Sequence, residues 1–145
     1  ARKKKLTRDE LTAGLYLTEA QIAIGRLEEA KKALEALQPL LENTSSTCAQ
    51  GNALRLQANL YQQTGQHVEA MEAYERALHL LDDPECQYEM AHAQLDLATV
   101  LHKQGRLEDA QQAVLRAGQI FESINNQLGQ RAVADLQQEL ATSQR

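Results

Sequence analysis

The feature that most constrains this chain is a six-residue stretch that returns twice at a fixed spacing. Gly65-Gln66-His67-Val68-Glu69-Ala70 recurs as Gly25-Arg26-Leu27-Glu28-Glu29-Ala30 and as Gly105-Arg106-Leu107-Glu108-Asp109-Ala110, 40 residues apart each time. Self-similarity at such a period marks a repeat architecture, in which each unit buries its apolar face against its neighbours. Each copy reads as the joint between two antiparallel helices. Its glycine can take a positive φ without steric cost, so one helix can stop and the next start within a few residues. The acid four residues on falls in the first turn of the second helix, where unpaired N–H groups favour negative charge. The alanine is small where two backbones approach. Beyond each joint the apolar residues keep helical spacing: Ala70, Tyr74, Ala77, Leu78 and Leu81; Ala30, Leu34, Leu37 and Leu41; Ala110, Val114, Ala117 and Phe121.

Glycine, acid-alanine, a large residue four on and a small one three after that resembles the second helix of the tetratricopeptide repeat. The middle copy carries the resemblance best, with Leu54, Ala58 and Tyr61 before the glycine and Ala70, Tyr74, Ala77 and Leu78 after it. It extends over residues 11–124. The period of 40 is longer than the usual repeat of about 34, and Gln57 and Gln94 stand where the family prefers an apolar side chain. The resemblance implies an all-α, right-handed α–α superhelix: three helix pairs and a C-terminal capping helix, serving to bind other proteins. Lengthened repeats of this kind are similar to those in the tails of bacterial signalling ATPases and transcription activators.

Punctuation along the chain places the elements. Residues 1–7 are expected to be a disordered basic leader, with a first helix from Thr7, closed by a Thr7–Glu10 capping box, to Ile24. The second helix meets Pro39, which predicts a kink or break around Leu37–Gln38. Asn43-Thr44-Ser45-Ser46-Thr47 is a loop with capping capacity for a third helix over 46–63. A fourth helix follows over 67–81. Asp82-Asp83-Pro84-Glu85 reads as a turn that starts a fifth over 85–103. The sixth takes 107–123, Ile124-Asn125-Asn126 breaks the pattern, and the seventh takes 127–142. One domain over 8–143 is expected, with repeats at 8–44, 45–83 and 84–124 and a capping helix at 126–143. Arg131, Asp135, Gln138 and Thr142 give that last helix a polar outer line; the rival reading is the cut edge of a longer array.

Charge and cysteine usage narrow the partners. Five of the 15 basic residues (Arg2, Lys3, Lys4, Lys5 and Arg8) open the chain, leaving 10 basic against 20 acidic residues, a net −10, over the rest. So acidic a body should repel a nucleic-acid backbone. The basic opening reads as solvated, since no aromatics interleave it. No run of about 18 apolar residues exists to span a membrane, and no signal sequence opens the chain. Cys48 and Cys86, with no ligand pattern around them, read as two reduced thiols in a cytoplasmic protein ahead of a disulfide.

No catalytic constellation is present: no Gly-rich phosphate loop, nucleophile elbow or His-Glu-x-x-His. The chain is therefore read as a non-enzyme without cofactor or metal. Cys86, Glu89, His92 and Asp96 could align on one helix, but a single helical line offers ligands from one side only, whereas zinc takes a converging tetrahedral set. The resemblance instead implies a concave groove lined by the first helix of each pair. Its candidate residues are Asn52, Arg55, Asn59 and Gln62, then His92, Thr99, His102 and Lys103 with Leu95. Thr12, Leu15, Glu19 and Ile22 are the first-helix counterparts, and Ala132, Asp135 and Glu139 those of the last helix. Asparagine and glutamine donate and accept at once, which suits the amides of an extended peptide. Family members that hold the C-terminal tails of chaperones do so with lysine, asparagine and arginine on these faces. Here Leu15, Glu19, Leu56, His92 and Asp96 occupy the matching positions, which argues against chaperone-tail binding. The expected function is a protein-interaction scaffold that takes a partner peptide or helix. The alternatives are a sensory module answering to a peptide or small ligand within a larger regulator, and a homodimer.

Overall fold

A computed structural model of the chain describes residues 2–143, with side chains from Arg8 onward. The helices are α1 (Arg2–Ala23), α2 (Leu27–Ala36), α3 (Gln38–Asn43), α4 (Thr47–Gln63), α5 (His67–Leu80), α6 (Gln87–Lys103), α7 (Leu107–Ser123) and α8 (Gln127–Ser143), with a 3-10 turn at Pro84–Cys86. The described residues contain no strand. The elements group into two compact units, Ala1–Leu80 and Leu81–Arg145. In the first, α1 packs on α2, α4 packs on α5, and α4 also lies against α1 and α2. In the second, α7 packs on both α6 and α8, and α8 also meets α6. The chain is an all-α helical repeat.

The three glycine joints share one construction. Gly25, Gly65 and Gly105 have φ of 84°, 80° and 78°. At each, the next residue's N–H reaches back to close the first helix: Arg26 to the Gln21 carbonyl at 2.8 Å, Gln66 to Tyr61 at 2.8 Å, Arg106 to Leu101 at 2.9 Å. This is the Schellman end, which satisfies carbonyls that the helix leaves over. The same residue's carbonyl then accepts the first bond of the following helix, from Ala30, Ala70 and Ala110 at 3.0 Å each. All three alanines are fully buried. A fourth joint of the same kind links α7 to α8. There Asn125 takes φ 55°, Asn126 N–H bonds the Phe121 carbonyl at 2.8 Å, and the Asn126 side chain caps α8 by accepting from Gly129 N–H at 2.8 Å. Asparagine tolerates this conformation better than other non-glycine residues.

Pro39 breaks the second helix as expected: α2 ends at Ala36, and Leu37 carries the chain into α3 with Pro39 at its start. Two expectations are corrected. The backbone of α1 is helical from Arg2, so residues 2–7 do not form an irregular leader and Thr7 is no helix start. Lysine and arginine are good helix formers, and nothing in that stretch stops a helix. Cys48 and Cys86 are not reduced thiols; both are disulfide-bonded. The thiol reading rested on compartment statistics, which say nothing of the distance between two sulfurs. With it goes the residue-level argument for a reducing compartment. Among the described residues no helix is long and apolar enough to cross a membrane.

The first unit's core joins Leu11, Leu15 and Ile22 of α1, Ala30 and Leu34 of α2, Leu37 and Leu41 beside Pro39, and Ala53, Leu56 and Leu60 of α4. Each large aliphatic side chain buried there contributes about 1.5–3 kcal/mol relative to exposure. In the second unit Phe121 is fully buried, and a Cβ at Gly129 would lie 2.2 Å from its ring. The glycine in α8 is therefore a packing requirement of Phe121.

Candidate functional site

α4 starts where the Ser46 hydroxyl accepts from the Ala49 N–H at 3.1 Å. That cap sets the phase of the helix, and Asn52, Arg55, Asn59 and Gln62 then fall on one face by their +3, +4, +3 spacing. The row is only partly open to solvent. Arg55 is 5% exposed, and its three neighbours are half-buried. Its guanidinium Nη2 pairs with Glu19 of α1, and its Nε donates to Asn52 Oδ1 at 2.9 Å. Asn59 Oδ1 accepts from the Tyr74 hydroxyl of α5. Gln62 Oε1 and His67 Nδ1 lie 3.0 Å apart across the Gly65 joint.

Each member of the row therefore has a structural tie. Arg55 joins α4 to α1, Asn59 joins it to α5, and Gln62 links the two ends of the Gly65 turn. A buried guanidinium needs such partners, because an unpaired buried charge costs several kcal/mol. Glu19 keeps its side chain 41% exposed, so the pair sits at the rim of the core. What the row offers a partner is a set of amide groups already oriented by these bonds, around a neutralised cation.

The first-helix counterparts are corrected in part. Leu15 and Ile22 lie in the core at 5% and 6% exposure, while Thr12 is exposed and Glu19 half-buried. The reason is the phase of α1. Leu11, Leu15, Thr18 and Ile22 form its inward line, and Thr18 settles its hydroxyl on the Gly14 carbonyl at 2.8 Å. Leu56, one of the chaperone-clamp positions, is fully buried in α4.

In the second unit α6 carries the other row. His92 is half-buried with its ring edge-on to Tyr88 (centroids 4.6 Å, 61°) and Phe121 (5.2 Å, 83°). Leu95 is half-buried, and the Thr99 hydroxyl donates to its carbonyl at 3.1 Å. His102 Nε2 lies 2.7 Å from the Ser143 hydroxyl of α8. Lys103 is exposed at the end of the helix. On α8, Asp135 and Glu139 are exposed and Ala132 half-buried. Cys86, bonded through sulfur, offers no thiolate to the Cys86–Glu89–His92–Asp96 line. Among the described residues no group of three or more histidine, cysteine or acidic side chains could hold a metal ion.

The parts of this site that residue-by-residue reading misses are the Glu19 partner and the Tyr74 hydroxyl. A signal for the first does exist. Glu19 and Arg55 are 36 residues apart, one helical turn less than the repeat, which is the offset at which neighbouring first helices meet. His102 and Ser143, 41 apart, tie α6 to α8 at an offset one residue longer than the repeat.

Residues 53–80, spanning most of α4, the Gly65 joint and α5, match the family described as Tetratricopeptide repeat. No curated protein and no solved structure matches the chain at a significant level.

Proposed function

We propose, for a chain that carries a tetratricopeptide repeat and is on that ground a protein–protein interaction module, that it holds an extended segment of a partner along its first helices, Asn52, Asn59 and Gln62 being the principal contacts. The repeats of this reading are 8–44, 45–83 and 84–124, with 126–143 as the cap. His92, Thr99, His102 and Lys103 supply the corresponding row of the second unit, and no covalent chemistry takes part.

The observation that supports it is the pre-set orientation of the α4 amides. Asn59 is held by Tyr74, Gln62 by His67, and Asn52 by Arg55, which is itself fixed by Glu19. A side chain already ordered in the unbound protein loses little further freedom on binding, a saving of about 0.5–1.5 kcal/mol for each. Amide side chains also match the alternating donors and acceptors of an extended backbone.

The test is selection from a displayed peptide library, followed by affinity measurement on the wild type and on Asn52→Ala/Gln62→Ala. Arg55 is left in place, because its removal would unpair Glu19 and confuse binding with stability. Asn52→Ala also removes the acceptor of the buried Arg55 Nε–H, so affinities are compared well below both melting transitions. The reading expects at least tenfold weaker binding there, with a melting temperature lowered only by the loss of that bond. Equal affinity for both proteins would remove α4 from the binding surface.

A further inference from the structure

α1 has two apolar lines on opposite sides, and one of them is uncovered. The inner line, Leu11, Leu15, Thr18 and Ile22, is in the core. The outer line is Ala13, Leu17, Ala20 and Ile24, spaced +4, +3, +4. All four residues are exposed, Leu17 at 55% and Ile24 at 68%. The mean spacing of about 3.7 residues, close to the 3.6 of an α-helix, keeps these residues on one side as an apolar stripe of the kind that faces another element.

The chain shows what becomes of this line elsewhere. One repeat later, Ala53 and Leu60 of α4 occupy the positions of Ala13 and Ala20, and they are buried with Ala30 and Leu34 of α2. In the second unit, Val133 and Leu140 of α8 occupy them again, buried on a helix that packs on α7. At the Ala13 and Ala20 positions α1 alone among these three helices is open; the Leu17 position is polar on the other two, as half-buried Gln57 and exposed Gln137.

We propose that the outer line of α1 pairs antiparallel with the same line of a second copy of this chain. Two features select this occupant. The first is size. Antiparallel pairing about the midpoint between Leu17 and Ala20 sets Leu17 opposite the partner's Ala20 and Ala13 opposite the partner's Ile24, a large residue against a small one at every level. Parallel pairing would stack alanine on alanine and leave gaps. The second is charge. In sequence the start of α1 carries Arg2, Lys3, Lys4, Lys5 and Arg8 against Asp9 and Glu10 and is net positive. Its end is followed by Glu28 and Glu29 against Arg26, which pairs with Glu29 at 3.6 Å, and is net negative. An antiparallel pair brings these opposite charges together, whereas a parallel pair opposes like with like. The seam spans 12 residues, roughly 18 Å of helix. It is short for a stable interface, which buries upwards of about 1,200 Å², so the dimer should dissociate on dilution.

Sedimentation equilibrium of the whole chain over a wide concentration range tests this. The wild type should move from monomer to dimer, and Leu17→Glu should stay monomeric with an unchanged melting curve, since Leu17 touches no core. Leu115→Glu, an exposed leucine on α7, should dimerise like the wild type. Arg8→Glu should weaken the dimer several-fold, and adding Glu29→Lys should restore it, which a parallel pair would not do. A wild type monomeric throughout overturns the proposal, as does a Leu17→Glu chain that dimerises equally well. A monomeric wild type that captures a synthetic peptide of residues 107–123, lost in Leu17→Glu, would assign the line to a different helix and overturn the second copy as occupant.

Discussion

α1 and α4 stand one repeat apart and do the same structural work on one side. Leu11 and Leu15 of α1 face the core, as Gly51 and Arg55 do from the same positions of α4. Their other sides differ. Ala53, Leu56 and Leu60 of α4 are 7%, 0% and 5% exposed, whereas Tyr16, which occupies the place of Leu56, is 62% exposed. Equivalent positions in a repeat therefore share a helix phase without sharing an environment. In a quasi-one-dimensional stack, burial is decided by whether a neighbour exists on that side. α4 has α2 there, and α1 is open.

The largest effect that would break this comparison is in the core. Leu56→Ala should destabilise by about 2–5 kcal/mol, while Tyr16→Ala, one repeat earlier, should fall within about 0.5 kcal/mol of the wild type. Chemical denaturation of the two variants checks this, and similar losses would mean that the exposed side of α1 is covered in solution.

Arg55 comes next, because it replaces the leucine that α1 has at this position. Arg55→Ala should cost about 1–3 kcal/mol, since it leaves Asn52 and Glu19 without the donor that they share. A double-mutant cycle with Glu19→Gln separates the pair from the packing of the arginine stem. Zero coupling would make the guanidinium a spectator.

The smallest effect concerns what the two halves of the first unit have in common. Gly25→Ala and Gly65→Ala should each cost about 1 kcal/mol, through the positive φ alone. A Cβ at either site would meet nothing within 4 Å. Equal losses support one joint used twice, and a loss at Gly65 only would show that the first joint bears less load.

Much of this fold is readable in the residues. The joints at Gly25, Gly65 and Gly105, the break at Pro39 and the cap at Ser46 all follow from local backbone chemistry, and the helix ends other than the start of α1 agree to within a residue or two. What stays hidden depends on residues far apart or on the lack of a signal. The early start of α1 has no marker, because a lysine-rich helix and a lysine-rich leader look alike. Asn125 conceals a joint of the same type as the glycine ones. Arg55 reads as a surface residue until Glu19, 36 residues before it, is placed beside it. That Asn52, Arg55, Asn59 and Gln62 share a helix face follows from their spacing, and their choice as candidates from the family resemblance, while the bonds that orient them have no sequence signal of that kind.

The contrast between α1 and α4 is tested most directly by methyl NMR with a soluble paramagnetic agent, read at low and at high protein concentration. At low concentration Leu17 and Ile24 should relax strongly and Leu56 and Leu60 hardly at all. On raising the concentration, Leu17 and Ile24 should become protected while the α4 methyls do not change. If Leu60 relaxes like Leu17, the repeat does not pack as described; if Leu17 and Ile24 stay equally accessible at every concentration, no second copy covers α1.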